Sequence, residues 1–151
     1  MSSAGFSPDS VPAWVGLAAQ TAAEAHAGQF RRDGVTPYLK HPEAVVARVR
    51  GDASAEAVAW LHDVLEDTPL TVEDLRRRGI PDEVVGAVSL LTKGEGCDYG
   101  AYLARVRDHP LARKVKIADM LANLSDHPTE RQIVKYAQGL LVLMNAPALS
   151  P

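Results

Sequence analysis

The sequence predicts an all-α protein, a single-domain helical bundle of about eight helices. Apolar residues recur at helical spacing along nearly the whole chain, and no sustained alternation of polar and apolar residues predicts a strand. The chain has 151 residues, the size of one domain, with 46% hydrophobic and 23% charged residues. We therefore expect one domain over residues 11–145, between a flexible N-terminus at 1–10 and a flexible tail at 146–151.

Glycine and proline divide the first part of the chain. An alanine-rich helix is predicted over 13–27. Residues 28–40 contain two glycines and a proline, which predict a loop. A helix restarts over 41–50, where Pro42 is tolerated in the first turn, and it ends at Gly51.

The second part of the chain continues the helical pattern. Ser54 precedes a longer predicted helix over 55–67, which ends because the residue before Pro69 avoids the helical backbone region. Thr71 and Asp74 resemble a capping box at the start of the next, short helix. The remaining helices are predicted at 71–79, 81–92, 99–108, 111–124 and 130–144.

Charge and cysteine usage exclude several classes of protein. The net charge of −3 gives no global basic field for DNA, RNA or an anionic membrane. Cys97 is the only cysteine, so an internal disulfide is excluded. The N-terminus lacks a basic start followed by an apolar run, and no window approaches the ~18 apolar residues of a membrane span. We expect a soluble, cytoplasmic protein without nucleic-acid or membrane partners.

The stretch WLHDVLEDT places His62, Asp63, Glu66 and Asp67 in an otherwise apolar segment. On a continuous helix, with roughly 100° per residue, all four project from less than half of the circumference. The alternative is a solvated helix end. However, carboxylates near a helix C-terminus oppose the helix dipole and repel one another. A divalent metal is the simplest compensating charge, and an imidazole beside a carboxylate suits Mn, Fe or Zn.

Two more ligand candidates lie elsewhere in the chain. His41 opens a predicted helix 21 residues before His62. Asp119 lies in the apolar segment VKIADMLANL, where Lys116 and Asn123 share its helix face. An aspartate in an apolar helix is unfavourable unless it is paired. A surface ion pair between Lys116 and Asp119 is the alternative.

Three motifs, AHAGQFRRDGVTPYLKHP, WLHDVLEDT and VKIADMLANL, resemble the HD-superfamily hydrolase domain of RelA/SpoT-type alarmone enzymes, over roughly residues 11–145. The small stand-alone alarmone hydrolases are the most similar. The resemblance implies an HD-type fold and removal of the 3′-pyrophosphate from ppGpp or pppGpp, releasing GDP or GTP and pyrophosphate. At 151 residues, we expect no room for a synthetase or regulatory domain.

The resemblance also assigns residues to roles. It implies metal ligands, usually for manganese, and an acidic pair that positions and activates the attacking water. The implied ligands are His41, His62, Asp63 and Asp119, and the acidic pair is Glu66 and Asp67, either of which can be the base.

Substrate contacts follow from the same resemblance. Arg31 and Arg32 match a basic pair that contacts the nucleotide, with one guanidinium stacking on guanine; a solubilising loop charge is the alternative. Asn123 and Tyr136 match positions near the nucleotide, although a buried structural tyrosine is an equal interpretation. Lys116 contacts a phosphate or has a structural role.

Two departures from the family pattern leave the substrate open. Met120 stands where relatives commonly have a basic residue, and the segment SDHPTERQ is short. We expect both to border the nucleotide pocket. Another nucleotide, such as NADPH, is therefore an alternative substrate, and a non-catalytic nucleotide sensor is a third hypothesis. The intact Glu66 and Asp67 argue against the sensor.

Overall fold

A computed structural model of the chain describes residues 10–144. This part is helical apart from one isolated bridge between Phe30 and Pro37, which confirms the all-α class. None of its helices is both long and apolar enough to span a bilayer. Apart from Ser10, the ends predicted to be flexible lie outside the described residues. The helices are α1 (Ala13–Ala25), α2 (Lys40–Arg48), α3 (Ala53–Leu61), α4 (Val64–Asp67), α5 (Val72–Arg77), α6 (Asp82–Leu91), α7 (Tyr99–Arg107), α8 (Pro110–Leu124) and α9 (Glu130–Met144).

Helix α3 lies at the centre of the bundle. It packs against α1, α2, α6 and α8, and its apolar residues Ala55, Ala57, Val58, Ala59 and Leu61 are fully buried. Three of them, Ala55, Ala57 and Ala59, carry only a methyl group, which favours close approach of neighbouring helices. The C-terminal end of α3 therefore delivers the residues that follow Leu61 into the interior.

The predicted continuous helix over 55–67 is wrong at one point. Helix α3 ends at Leu61 and α4 begins at Val64, so His62 and Asp63 lie in a break. There the His62 Nδ1–H donates to the Ala59 carbonyl at 2.7 Å, the acceptor that a continuous helix would offer to the Asp63 amide. Because of the break, the ligands His62 and Asp63 and the acidic pair Glu66 and Asp67 do not lie on one continuous helix, as the sequence predicted.

Side-chain caps explain where other helices begin. The predicted capping box is confirmed, since Thr71 Oγ1 accepts from the Asp74 amide and the Asp74 carboxylate accepts from the Thr71 amide. Helix α3 is capped by Asp52, whose carboxylate accepts from the Ala55 amide, rather than by Ser54. These local hydrogen bonds therefore fix the residues at which α3 and α5 begin.

Truncation of Leu61 tests the central position of α3. Leu61→Ala opens a cavity in the core, and we expect the free energy of unfolding to fall by about 2–5 kcal/mol. Leu141→Ala is the matched control, because Leu141 is 66% exposed on α9, and it should change stability by about 0.5 kcal/mol or less. Chemical denaturation measures both; equal losses would contradict the central packing of α3.

Candidate metal centre and nucleotide cleft

Four side chains from three parts of the chain converge on one point. The ligand atoms of His41, His62 and Asp63 all lie within 4.8 Å of one another. Asp119 Oδ1 lies 2.8 Å from His41 Nε2 and 3.4 Å from His62 Nε2. Helix α2 supplies His41, the break after α3 supplies the adjacent pair, and α8 supplies Asp119. The structure therefore brings together all four predicted metal ligands.

Burial makes the charges of this cluster strongly interdependent. His41, His62 and Asp119 are 5–6% exposed. Burial opposes ionisation of Asp119, but Lys116 and the His62 imidazole outweigh it and hold the pKa of Asp119 well below its usual range. Burial likewise opposes protonation of His62, but Asp63 and Asp119 raise the pKa of His62 well above its usual range. Buried Asp119 and half-buried Asp63 thus favour a positive charge between them.

The donor set fits a divalent metal. His62 Nε2 is buried and has no hydrogen-bond partner within residues 10–144, although Asp63 Oδ2 lies 3.1 Å away. Because Nδ1 of the same ring is engaged by Ala59, Nε2 is the atom available to a ligand in the cluster. Two imidazoles and two carboxylates are a donor mixture that suits Mn, Fe or Zn.

Neighbouring side chains hold the two carboxylates in place. Lys116 Nζ donates to Asp119 Oδ2 at 3.0 Å, and Asn123 Nδ2 donates to Asp119 Oδ1 at 3.2 Å. The pair of Lys116 and Asp119 is not a surface ion pair, since their side chains are 19% and 8% exposed. The Tyr38 hydroxyl donates to Asp63 Oδ2. Burial, followed by the Asp63 charge, raises the pKa of Tyr38, so the hydroxyl keeps the proton that it donates.

A cleft of about 330 Å³ opens directly onto this cluster. All five side chains predicted to contact the substrate line it together with three of the ligands. The five are Arg31, Arg32, Lys116, Asn123 and Tyr136. Phe30, Tyr38 and Gln132 also line the cleft, and sequence reasoning missed them. One signal was available for Tyr38, which lies only three residues before His41 in the sequence.

The two arginines are tied to partners on other segments. Arg31 Nη2 lies 3.2 Å from Asp126 Oδ2, just after α8. Arg32 Nη2 donates to Gln132 Oε1 at 3.0 Å, on α9. The Arg31 guanidinium also lies over the Tyr38 ring, 5.8 Å from its centroid. The Asp126 side chain is 59% exposed, and an ion pair with an exposed partner is weak, so a ligand can displace Asp126 from Arg31 without a large penalty.

The acidic pair lies on α4 and does not line the cleft. Glu66 Oε1 accepts from the Lys93 backbone amide at 2.5 Å. The Asp67 carbonyl accepts from Gln29 Nε2 at 3.0 Å. Burial, then the charges of Asp63 and Glu66, raise the pKa of the Asp67 carboxyl. The two acids therefore differ in environment, which the sequence did not indicate.

Met120, expected to border the pocket, is fully buried in the core instead. Its Cε lies 2.7 Å from the position that a β-carbon on Gly139 would occupy, which shows how closely α8 and α9 approach there. The absence of a basic residue at position 120 thus removes no charge from the cleft.

No protein-family model matches the chain. A solved structure of a metazoan ortholog of SpoT, described as hydrolysing ppGpp and acting in starvation responses, superimposes with a TM-score of 0.75 and 27% identity over 94% of this chain and 89% of that one. The chain belongs to the RelA/SpoT-type hydrolase family of the HD superfamily.

Curated relatives agree with this RelA/SpoT-type assignment. A guanosine-3′,5′-bis(diphosphate) 3′-pyrophosphohydrolase of Haemophilus influenzae is 46% identical over 77 residues, covering 48% of this chain and 11% of the relative. A probable GTP pyrophosphokinase of Mycobacterium leprae is 32% identical over 153 aligned positions, 91% of this chain and 19% of the relative. The chain spans less than a fifth of the length of either relative.

Removal of one imidazole tests the ligand set. His62→Ala should abolish stoichiometric metal binding, because it deletes a buried donor at the centre of the cluster. His127→Ala is the control, since the His127 side chain is 99% exposed. Elemental analysis of dialysed protein measures metal content. Full metal occupancy in His62→Ala would contradict the assignment.

The Tyr38 hydroxyl offers a subtler test. Tyr38→Phe removes the donor that orients Asp63, so metal affinity should weaken by about 10–100-fold while the fold is kept. Tyr136→Phe serves as the control, because Tyr136 lines the same cleft but contacts no metal-ligating carboxylate among the described residues. Chelator competition gives both affinities, and equal affinities in the two variants would rule out an orienting role for Tyr38.

Proposed function

We propose that this chain is a metal-dependent (p)ppGpp 3′-pyrophosphohydrolase, which releases GDP or GTP and pyrophosphate. The observation that carries the proposal is the convergence of four ligand side chains at the base of a cleft lined by cations. A pyrophosphate ester is strongly anionic, and cations beside a divalent metal are what its hydrolysis requires. The names of the relatives support the same substrate class.

Manganese is the metal that we propose, with Fe or Zn as alternatives. His41, His62, Asp63 and Asp119 would hold it. When bound, the metal supplies Lewis acidity and positive charge at the phosphoryl group under attack. Lys116 and Tyr38 keep Asp119 and Asp63 oriented toward it through the bonds described above. The cytoplasmic location stays a prediction.

The cleft walls supply contacts for the rest of the substrate. Arg31 and Arg32 line the cleft, and the planar guanidinium of an arginine can stack on the guanine. Asn123 and Tyr136 line the same cleft and offer hydrogen bonds to the ribose or a phosphate. Lys116 remains paired with Asp119 and adds positive charge beside the reacting phosphate.

Asp67 is the proton acceptor that we assign. Burial, then the charges of Asp63 and Glu66, raise the pKa of its carboxyl, and a raised pKa favours uptake of a proton from water. The Glu66 carboxylate is bound instead by the Lys93 amide, a contact that fixes the chain after α6. We therefore assign the base to Asp67 and an anchoring role to Glu66.

A substrate panel tests the proposed function. Purified protein is incubated with ppGpp, pppGpp, GTP and NADPH, with manganese or with a chelator, and released pyrophosphate and orthophosphate are measured separately. We expect manganese-dependent pyrophosphate from ppGpp and pppGpp only. Orthophosphate from NADPH alone would identify another phosphohydrolase, and nucleotide binding without any turnover would identify a sensor.

The division of roles within the acidic pair has its own test. Asp67→Asn should lower kcat by about 10²–10⁴-fold with metal content unchanged, because it removes the proton acceptor. Glu66→Gln should have the smaller effect, since a glutamine oxygen can still accept from the Lys93 amide. Steady-state kinetics with ppGpp compares the two. A larger loss in Glu66→Gln would reverse the assignment.

A further inference from the structure

His26 is a buried histidine that belongs to neither the metal cluster nor the lining of the cleft. It follows the last residue of α1 and is 3% exposed. Its Nε2 is buried and has no hydrogen-bond partner within residues 10–144. Because a buried polar atom without a partner is destabilising, an apolar residue would fill this space at a lower cost in stability. A role beyond packing is therefore expected of this ring.

A tight turn brings the Gln29 side chain back to the His26 ring. The Gln29 amide donates to the His26 carbonyl at 3.0 Å, and Gly28 takes a positive φ of 80° within the turn. Gln29 Oε1 then lies 2.8 Å from His26 Nδ1. An amide oxygen only accepts hydrogen bonds, so His26 Nδ1 carries the proton and donates it.

The nitrogen of the Gln29 side chain holds Asp67. Gln29 Nε2 donates to the Asp67 carbonyl at 3.0 Å. This bond also fixes which way the Gln29 amide group is turned, since a carbonyl can only accept. Helix α4 has only four residues and Asp67 is its last, and so short a helix has little stability of its own. The position of Asp67 therefore depends on this contact from outside α4.

The Tyr38 ring fixes the orientation of the His26 imidazole. The centroids of the two rings lie 4.8 Å apart, with an angle of 42° between their planes. The Tyr38 amide also donates to the Gln29 carbonyl at 2.9 Å, which links the tyrosine to the backbone of the turn. Because the imidazole packs against Tyr38 and is bound to Gln29, it holds the Gln29 side chain in the conformation that reaches Asp67.

We infer that His26 is a positioning residue, which sets the place of Asp67 through Gln29. The chain of contacts runs from the His26 ring to the Gln29 amide group and on to the Asp67 backbone. The inference rests on the proposed function for the role of Asp67 as proton acceptor. His26 lines no part of the cleft, so it acts through Asp67 rather than on the substrate.

Four single variants test the inference by steady-state kinetics with ppGpp at saturating manganese. His26→Leu removes the donor and leaves an apolar side chain in its place, whereas His26→Asn keeps an N–H donor near the place of Nδ1. Gln29→Leu removes the link itself. Gln20→Leu is the matched control, because the Gln20 side chain lies on α1 and donates to Glu24 at an exposed place on the same helix.

His26→Leu and Gln29→Leu should each lower kcat about tenfold with KM nearly unchanged, because Asp67 is displaced while the substrate contacts are kept. The double variant should lose no more than either single variant, since both changes break the same chain of contacts. His26→Asn should recover most of the loss in kcat, and Gln20→Leu should match wild type.

Three kinetic outcomes would overturn the inference. They are an equal loss of kcat in His26→Asn and His26→Leu, a loss confined to KM, and wild-type kcat in Gln29→Leu. Gln29→Leu decides the outcome where His26→Leu fails to fold, because Gln29 is only partly buried.

The ¹⁵N NMR shifts of the His26 ring provide a readout without turnover. Wild type and Gln20→Leu should show the Nδ1–H tautomer, and Gln29→Leu should shift the ring toward the Nε2–H tautomer, because the acceptor at Nδ1 is gone. The Nε2–H tautomer in wild type would also overturn the inference. Failure of the proposed function appears separately, as absence of turnover by wild type in the substrate panel.

Discussion

The structure depends on one electrostatic constraint, the placement of buried Asp119 and half-buried Asp63 against the imidazoles of His41 and His62. A buried carboxylate is stable only with a positive partner, and here a second, half-buried carboxylate faces the same point. Lys116 satisfies one oxygen of Asp119, and Tyr38 binds an oxygen of Asp63. The charge that remains is what a divalent metal would balance.

The fold can be understood as the framework that holds this cluster. Central helix α3 is packed on four sides, and its interruption turns His62 and Asp63 toward α2 and α8. The same interruption starts α4 and separates Glu66 from the ligands, so that its carboxylate reaches the chain after α6. The break at His62 and Asp63 therefore determines where the ligands and the acidic pair lie and, through Glu66, where the Lys93 backbone is held.

The sequence was sufficient for the fold class and for the residues that meet at the cluster, because helical periodicity and three local motifs carry that information. The sequence did not predict the helix break at His62 and Asp63, because no glycine or proline marks it. There the His62 side chain, instead of a backbone amide, donates to the Ala59 carbonyl. Tyr38 was missed because its hydrogen bond to Asp63 joins residues 25 positions apart in the chain. Met120 was misplaced because its orientation depends on the close packing of α8 and α9.

The most direct measurement is anomalous diffraction at the manganese absorption edge from crystals of the protein grown with manganese. The account predicts one strong anomalous peak within coordination distance of His41 Nε2, His62 Nε2 and one oxygen each of Asp63 and Asp119. A peak that excludes His41 or Asp119, or crystals with no peak at this cluster, would contradict it.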